Sequence, residues 1–377
     1  MPAESPGLSE LHDELRAVAR DLLGKADAEA AADWRSIAGA GWPGLEVPGA
    51  FDGADATFAE VAVILQEMGR AAARGPYAAV AVLGVGVLNL LESGPDRDRL
   101  LRDTAAGDAV PVAVLEGEAM GETSFRIART ARGPLLHGTA DFVLDAPAAD
   151  RLLVPALDPD GTPVIVGVDP RAAGLSVERR PVLDATRGFG RVAVTDVSVP
   201  PESVWRFRGD PQEAVRRLRD RAAVAMACDS LGLSKAMLEA TVAYAGVREQ
   251  FGRKIGSFQA VKHACADMLV QVSVARELVA AAVRGQAGDE PGAAVAASMA
   301  KSYACAAAVE VAGKAMQLHG GMGYTWESGV HVYLKRAALN RSLFGSPALH
   351  RRRLAERYSP LARERLDAYG GSERSLS

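Results

Sequence analysis

The spacing of apolar residues divides the chain into a helical, an extended and a second helical stretch. Apolar side chains recur every three or four residues between Leu8 and Leu22, which predicts an amphipathic helix. The same spacing returns in Thr57–Met68, after a Gly- and Pro-rich connector at Gly41–Gly53. Ala78–Leu91 is apolar on every side, which predicts a buried helix.

The apolar period changes near Pro111. Short β-branched runs separated by turns rich in Gly, Pro and Asp predict strands, and Arg191–Pro200 alternates apolar and polar residues most clearly. The predicted strands are Val112–Leu115, Phe142–Leu144, Leu152–Pro155, Val164–Val168 and Val192–Val199. Together they indicate a small antiparallel sandwich or barrel.

After Pro200 the helical period returns and continues to the C-terminus. The predicted helices are Ala214–Val247, Pro291–Leu318, His331–Phe344 and Pro347–Tyr369, with a further one around Met268. We therefore predict an α+β fold that is mostly helical. Its domains would be an N-terminal helical domain over residues 1–110, a middle β domain over 111–205 and a C-terminal helical bundle over 206–377.

Composition excludes several classes of protein. The 377 residues are 49% hydrophobic and 24% charged, which is ordinary globular usage. A net charge of −4 argues against a nucleic-acid-binding surface. The three cysteines, Cys228, Cys265 and Cys305, are far apart, so we expect buried thiols and no metal site. Without a signal peptide or a membrane-spanning segment, the expected location is the cytoplasm.

Two segments carry more specific chemistry. In Arg248–Met268, a long helix ends near Arg248 and a second starts near Ser257, whose hydroxyl suits an N-cap. Arg248, Arg253 and Lys254 gather positive charge around this turn, which suits a phosphate group, although such turns are more often simply solvated. In Gln317–Tyr324, QLHGGMGY, three glycines let a backbone approach a ligand closely, and a helix C-cap explains only one of them.

In this order the two segments resemble the acyl-CoA dehydrogenase family, which has an R-x-x-F-G turn followed by F-Q, then Q-x-x-G-G-x-G-[YF]. Gly41–Pro48 and Pro181–Pro200 resemble further parts of that family, so the resemblance covers nearly the whole chain. It implies an N-terminal helical domain, a middle β domain and a C-terminal four-helix bundle. It also implies FAD as the cofactor, an acyl-CoA substrate and a tetramer.

The resemblance assigns residues to the FAD that the neighbouring subunit mainly holds. The arginine turn would contact its diphosphate and adenosine, and the glycine-rich turn its adenosine end. The implied residues are Arg248, Gln250, Phe251, Ile255, Phe258, Gln259, Gln317, Gly320 and Gly321.

The family's proton-abstracting glutamate is missing at both of its known positions. Most members carry it 24 residues after the first glycine of the GG pair, where this chain has Phe344. Others carry it 26 residues before the arginine, where this chain has Ala222. Asp220 lies roughly 200° away from Ala222 around the helix, so it is a weak candidate base. We interpret it as a solvated acid at a helix start.

The middle domain departs from the family as well. Members carry T-E-P-G-x-G-S-D and W-I-[TS]-N beside the flavin ring, where this chain has LEGEAMGETSF at Leu115–Phe125 and FVLDA at Phe142–Ala146. Thr123 and Ser124 still offer hydroxyls. The chain's own half of a flavin site is therefore altered, while the half it would lend to a neighbour is kept.

Some actinobacterial relatives, including those acting on steroid side chains, are heterotetramers in which one subunit type lacks the glutamate, and this chain resembles that type. We predict an FAD-binding subunit that serves α,β-dehydrogenation of an acyl-CoA thioester, with a glutamate-bearing homologue supplying the base. The alternatives are a non-catalytic subunit that completes a partner's flavin site, and a flavin-dependent oxygenase or other redox enzyme of the same fold.

Two histidine-containing features stay open. His319 precedes the glycine pair, where it either touches flavin or substrate or is simply packed. The run His350–Arg353 is either a solvated helix face or an attractor of CoA phosphates.

Overall fold

A computed structural model describes residues 6–24, 34–116, 124–131, 133–325 and 328–358. Helices come first, a β domain follows, and helices complete the described chain, as predicted. The domain boundaries at residues 110 and 205 remain predictions. Among the described residues, no helix has both the length and the apolar character that crossing a bilayer requires.

The described residues of the N-terminal part form α-helices and a π-helical segment. They are α1 Pro6–Gly24, α2 Trp34–Gly39, α3 Phe58–Arg70, the π-helix Ala78–Gly84, α4 Val85–Leu88 and α5 Pro95–Ala106. Thr57 caps α3 through a reciprocal bond pattern with Glu60. The π-helix and α4 are wholly buried, which confirms a buried helix from Ala78, although it ends at Leu88.

Helix α1 forms as predicted, but its apolar stripe is only partly correct. Leu11 and Val18 are exposed, whereas Ala19 and Leu23 are buried. The face turned toward α3 is fixed by polar contacts, since Arg20 Nε donates to Glu67 at 2.9 Å and His12 meets Glu60 at 2.8 Å. The polar contacts with Glu60 and Glu67 of α3 therefore set which face of α1 is buried, and they leave Leu11 and Val18 exposed.

The strands of the β domain are β1 Pro111–Ala113, β2 Arg126–Thr130, β3 Gly133–Leu144, β4 Arg151–Leu157, β5 Pro163–Val168, β6 Leu175–Arg179, β7 Phe189–Ser198 and β8 Val204–Trp205. They form one sheet with the order β6-β7-β3-β2-β4-β5-β8, and β1 pairs with β4. The antiparallel prediction is wrong in two places, because β1 and β2 both pair with β4 in parallel. These pairings hold the chain entering the domain against its centre.

The C-terminal part is helical, with a small hairpin between its first two helices. It contains α6 Pro211–Val247, β9 Glu249–Gln250, β10 Arg253–Lys254, α7 Gln259–Ala287, α8 Ala293–His319, α9 Val330–Ser342 and α10 Pro347–Tyr358. Cys228 and Cys305 are buried as predicted, while Cys265 is partly exposed. Helices α3 and α6 approach so closely that a Cβ on Gly232 would lie 1.8 Å from the Gln66 carbonyl oxygen.

A buried carboxylate ties the three parts together. Asp229 on α6 accepts from Arg336 Nε at 3.0 Å and from Asn340 Nδ2 at 2.6 Å, both on α9. Arg187 of the β domain lies 3.0 Å from the same carboxylate. Arg336 Nη1 also donates to the Ala73 carbonyl oxygen at 2.8 Å. The network therefore joins α6, α9, the β domain and the segment after α3.

Candidate functional site

The positions at which the chain departs from the family pattern meet around one apolar cleft. Ala222 comes from α6, Phe344 from the turn after α9, and Leu144 from the end of β3. The cleft is too narrow to hold a water molecule. Its lining residues are Ala78, Val82, Leu83, Leu144, Ala222, Ala225, Met226 and Phe344. None of these eight side chains can accept a proton.

Phe344 is held in the cleft by its backbone. Its φ of 54° is in the left-handed region and its side chain is buried. The Phe344 carbonyl oxygen accepts from His350 Nε2 at 3.0 Å, and His350 Nδ1 meets Ser298 Oγ at 3.2 Å. Burial lowers the pKa of His350 to about 4, so its ring is neutral at physiological pH. His350 therefore fixes the turn that places the phenyl ring.

His350 also corrects the interpretation of the run His350–Arg353 as a solvated helix face. Arg351 and Arg352 are exposed as that interpretation requires, but His350 is fully buried and Arg353 is half-buried beside Asp220. Because successive residues point to different sides of a helix, Arg351 and Arg352 face solvent while His350 and Arg353 face the protein.

Asp220 is not the solvated acid that the sequence suggested. Helix α6 begins at Pro211, so Asp220 lies well inside it and is buried. Arg353 Nη1 approaches its carboxylate at 3.9 Å. Burial raises the pKa of Asp220 to about 6, with Arg353 and Arg216 opposing the shift. Asp220 is not among the residues that line the cleft, so its role as a weak candidate base stays a prediction.

The arginine turn is an exposed β-hairpin. Glu249–Gln250 pairs with Arg253–Lys254, and Phe251 and Gly252 form the turn with φ values of 54° and 71°. Two positive φ angles are typical of a tight hairpin turn. Phe251 is 92% exposed, an unusual position for a phenylalanine with nothing covering it. The hairpin therefore presents an aromatic ring and the Arg248 guanidinium outward.

The second helix starts later than predicted. Ser257 Oγ donates to the Lys254 carbonyl oxygen at 2.7 Å, and α7 begins at Gln259 with Phe258 at the N-cap position. The Ser257 cap is therefore wrong, because its hydroxyl is used inside the preceding turn. Arg253 packs over the Phe258 ring, with its Cζ 4.0 Å from the ring centre.

The backbone of the glycine-rich turn is exposed, with nothing packed against Gly320 and Gly321 among the described residues. Gly320 has φ 60° and ψ −137°, a conformation that only glycine adopts readily. At Gly321 the φ angle is ordinary, and a Cβ there would meet nothing within 4 Å. No packing among the described residues explains the glycine at 321, whereas close approach by a molecule from outside would. With the exposed Arg248 guanidinium on the hairpin, this open backbone fits a dinucleotide such as FAD.

The structure thus places the predicted cofactor residues on two neighbouring turns at the ends of α6 and α8. Ile255 and Phe258 are partly buried. The remaining ones are exposed: Arg248, Gln250, Phe251, Gln259, Gln317, Gly320 and Gly321. His319 is buried, with Nδ1 bonded to the Ala315 carbonyl oxygen at 2.7 Å, which favours the packed alternative.

Other parts of the site were missed by the sequence or lie outside the described residues. Val82 and Leu83 of the π-helix line the cleft, and their apolar run could only be read as buried. Tyr244, which stacks on His319, belongs to no motif that the sequence offered. Thr123 is outside the described residues, and Ser124 is exposed.

Comparison with known sequences matches two parts of the chain to one family. Residues 9–108 match the family described as acyl-CoA dehydrogenase, N-terminal domain, and residues 214–359 match acyl-CoA dehydrogenase, C-terminal domain. Acyl-CoA dehydrogenase IpdE2 of Mycolicibacterium smegmatis is 30% identical over 82% of this chain and 82% of its own length. Acyl-CoA dehydrogenase FadE34 of Mycobacterium tuberculosis is 32% identical over 83% of this chain. The matched region covers only 40% of the length of FadE34.

Similar solved structures include two that are named for a pair of chains. A variant of the Tcur3481-Tcur3483 steroid ACAD superposes with a TM-score of 0.80 and 28% identity, covering 97% of this chain and 99% of that one. The ChsE4-ChsE5 complex from Mycobacterium tuberculosis gives a TM-score of 0.82 and 25% identity, covering 95% and 98%.

Proposed function

Because this chain belongs to the acyl-CoA dehydrogenase family, and is a flavoenzyme of that type with FAD as its cofactor, we propose that it works as one subunit of a hetero-oligomer. In this proposal the assembly carries out α,β-dehydrogenation of an acyl-CoA thioester. A homologous subunit that bears the glutamate supplies the base, and this chain contributes its two exposed turns to the flavin site.

One contrast carries the proposal. The region where the chain would need its own base is an apolar cleft closed around Ala222, Leu144 and Phe344. The region that it would lend to a neighbour is open and exposed at Arg248, Phe251 and Gly321. A chain acting alone would need both regions, whereas a subunit paired with a base-bearing homologue needs only the second.

Exposed apolar side chains lie on the two exposed turns and on α7. Val247 ends α6, Phe251 lies in the hairpin turn, and Met322 and Tyr324 lie on the glycine-rich turn. Helix α7, which follows the hairpin, also exposes Leu269, Val270 and Val274. Large exposed apolar side chains in such number are typical of a protein interface. The pairs of chains named in two similar structures support an acyl-CoA dehydrogenase homologue as the occupant.

The roles of this chain's residues follow from their placement. Bound FAD supplies the acceptor for the β-hydride. The Arg248 guanidinium would neutralise phosphate charge, and the open backbone at Gly320 and Gly321 would let the dinucleotide lie against α8. The apolar cleft around Phe344 keeps water out and holds no proton acceptor among its lining residues, so proton abstraction falls to the partner.

Co-expression with a glutamate-bearing homologue from the same genome tests the proposal. The complex should be yellow and should oxidise an acyl-CoA with an artificial electron acceptor. Arg248→Ala should raise the FAD dissociation constant of the complex about tenfold or more, because a charge-assisted bond to phosphate is lost. Arg171→Ala, which removes an exposed arginine on a β-domain loop, should leave it unchanged.

Two outcomes would contradict the proposal. One is that the chain purified alone as a homo-oligomer holds stoichiometric FAD and dehydrogenates an acyl-CoA. The other is that Arg248→Ala and Arg171→Ala complexes hold equal flavin.

A further inference from the structure

The two turns of the lent flavin region are connected by one aromatic stack. The Tyr244 ring lies on the His319 ring with centroids 4.5 Å apart and planes 19° from parallel. The Tyr244 hydroxyl also points at the His319 carbonyl oxygen, at 3.5 Å. His319 is the last residue of α8, directly before Gly320. Tyr244 therefore fixes the start of the glycine-rich turn.

Tyr244 is equally close to the hairpin. It lies in the last turn of α6, and its carbonyl oxygen accepts from the Arg248 amide at 2.9 Å, which closes the helix at the residue where the hairpin begins. The neighbouring residue Ala245 packs tightly against Gly256. A Cβ on Gly256 would lie only 2.8 Å from the Ala245 carbonyl oxygen. The backbone of this helix turn holds the hairpin, and its tyrosine ring holds the other turn.

His319 has no freedom to move independently of this stack. Its Nδ1 donates to the Ala315 carbonyl oxygen at 2.7 Å, one helical turn back, and the residue is 8% exposed. The ring orientation is thus fixed from one side by α8 and from the other by Tyr244. Neither ring is placed among the exposed groups that would touch a ligand.

We propose that Tyr244 and His319 form a positioning pair, which sets the separation of Arg248 from Gly320 and Gly321 so that both turns bind the same FAD. This inference rests on the proposed function. A dinucleotide spans a fixed length between its diphosphate and its adenosine, so a change in the separation weakens binding even when every contacting residue is present.

Substitutions of the stacked pair in the complex with the homologue test the inference. Tyr244→Ala should raise the FAD dissociation constant about two- to tenfold, the equivalent of one aromatic pair. Tyr244→Phe keeps the ring and should bind FAD like the wild type. His319→Ala should match Tyr244→Ala, and the double variant should be no weaker than either alone, because the two residues act as a unit.

A second readout needs no flavin. In the apo complex, amide exchange of residues 248–258 and 319–324 should accelerate in Tyr244→Ala, with both segments changing together. Tyr303→Ala serves as the control, because it truncates a partly buried tyrosine of α8 that packs on the core. It should lower stability without changing FAD affinity or exchange in those segments.

The inference is overturned if Tyr244→Ala binds FAD like the wild type, if Tyr244→Phe is as weak as Tyr244→Ala, or if the losses in the double variant add. If Arg248→Ala lowers FAD affinity while Tyr244→Ala does not, only the positioning role fails. If neither changes it, the proposed function fails.

Discussion

Phe344 shows at the scale of one residue what kind of environment the cleft provides. Its ring shares the cleft with Leu144 and Ala222, and none of the eight lining side chains carries a charge. A carboxylate at residue 344 would lose its hydration there, and burial would raise its pKa. As the chain stands, no side chain that lines this cleft can take a proton.

The protonation of Asp145 should make the stability of the fold depend on pH. It follows β3, its Oδ1 accepts from the Gly188 amide at 3.2 Å, and its Oδ2 has no hydrogen-bond partner among the described residues. Burial raises the pKa of Asp145 to about 7, with Arg187 opposing the shift. Since the folded state holds this proton more tightly than the unfolded chain, stability is lost as pH rises from about 4 to 7.

We expect Asp145→Asn to remove that loss, because the amide stays neutral and its oxygen can still accept from Gly188. The variant should match the wild type near pH 4 and become more stable than it by pH 8, by an amount on the order of a few kcal/mol. Urea unfolding at pH 5, 6, 7 and 8 measures the difference. Asp160→Asn, at an exposed aspartate, is the control and should show no such trend. A difference that stays flat with pH would contradict the assignment.

Single residues also show where sequence reasoning ends. That residues 222 and 344 are the family's base positions is a prediction from motif spacing alone, and this chain has Ala222 and Phe344 there. The burial of Asp220 does not follow from spacing, because it depends on Arg353 of α10, more than a hundred residues away. Leu144 lies in FVLDA, a segment that the sequence already marked as different from the family motif. That Leu144 and Phe344 line the same cleft could not be predicted, because it depends on how the β domain packs near α9.

At the scale of elements, helices were predicted better than strands. Helix α6 was predicted from Ala214 to Val247 and runs from Pro211 to Val247, because its apolar spacing is sustained over many turns. Strands β2 and β6 were missed, because only one of the ten residues in them is fully buried and neither shows an apolar run. Their pairing comes from neighbouring strands, which local sequence does not report.

The contact between α6 and α9 rests on the buried charge of Asp229. We expect Asp229→Ala to lower the free energy of unfolding by about 3–5 kcal/mol, since Arg336 and Arg187 would be left buried without their counter-ion. Asp160→Ala, which breaks an exposed pair with Arg129, should cost less than about 1 kcal/mol. Urea denaturation at pH 7 compares the two. Equal losses would mean that the buried network does not hold the elements together.

At the scale of the whole molecule, the proposed function rests on one apolar cleft and two exposed turns. The order of helices and strands followed from the sequence, because it depends on local pattern, whereas the assignment of the two turns to a cofactor stays a prediction. The exposed apolar surface did not follow from the sequence, because exposed apolar residues on α7 have the same helical spacing as buried ones. Only the folded molecule shows that Leu269 and Val270 are left uncovered.

That surface predicts how the molecule assembles. Val270 and Val274 are one turn apart on α7 and exposed by 62% and 40%, so a charge at residue 270 would be buried unpaired if a homologue packs there. Val270→Lys should shift the complex toward separate subunits in light scattering after size exclusion, and should lower flavin content in parallel, with an unchanged circular dichroism spectrum. Leu183→Lys, at a leucine of the β domain that is 76% exposed, should leave the assembly intact. If Val270→Lys assembles like the wild type, the partner does not pack on this part of α7.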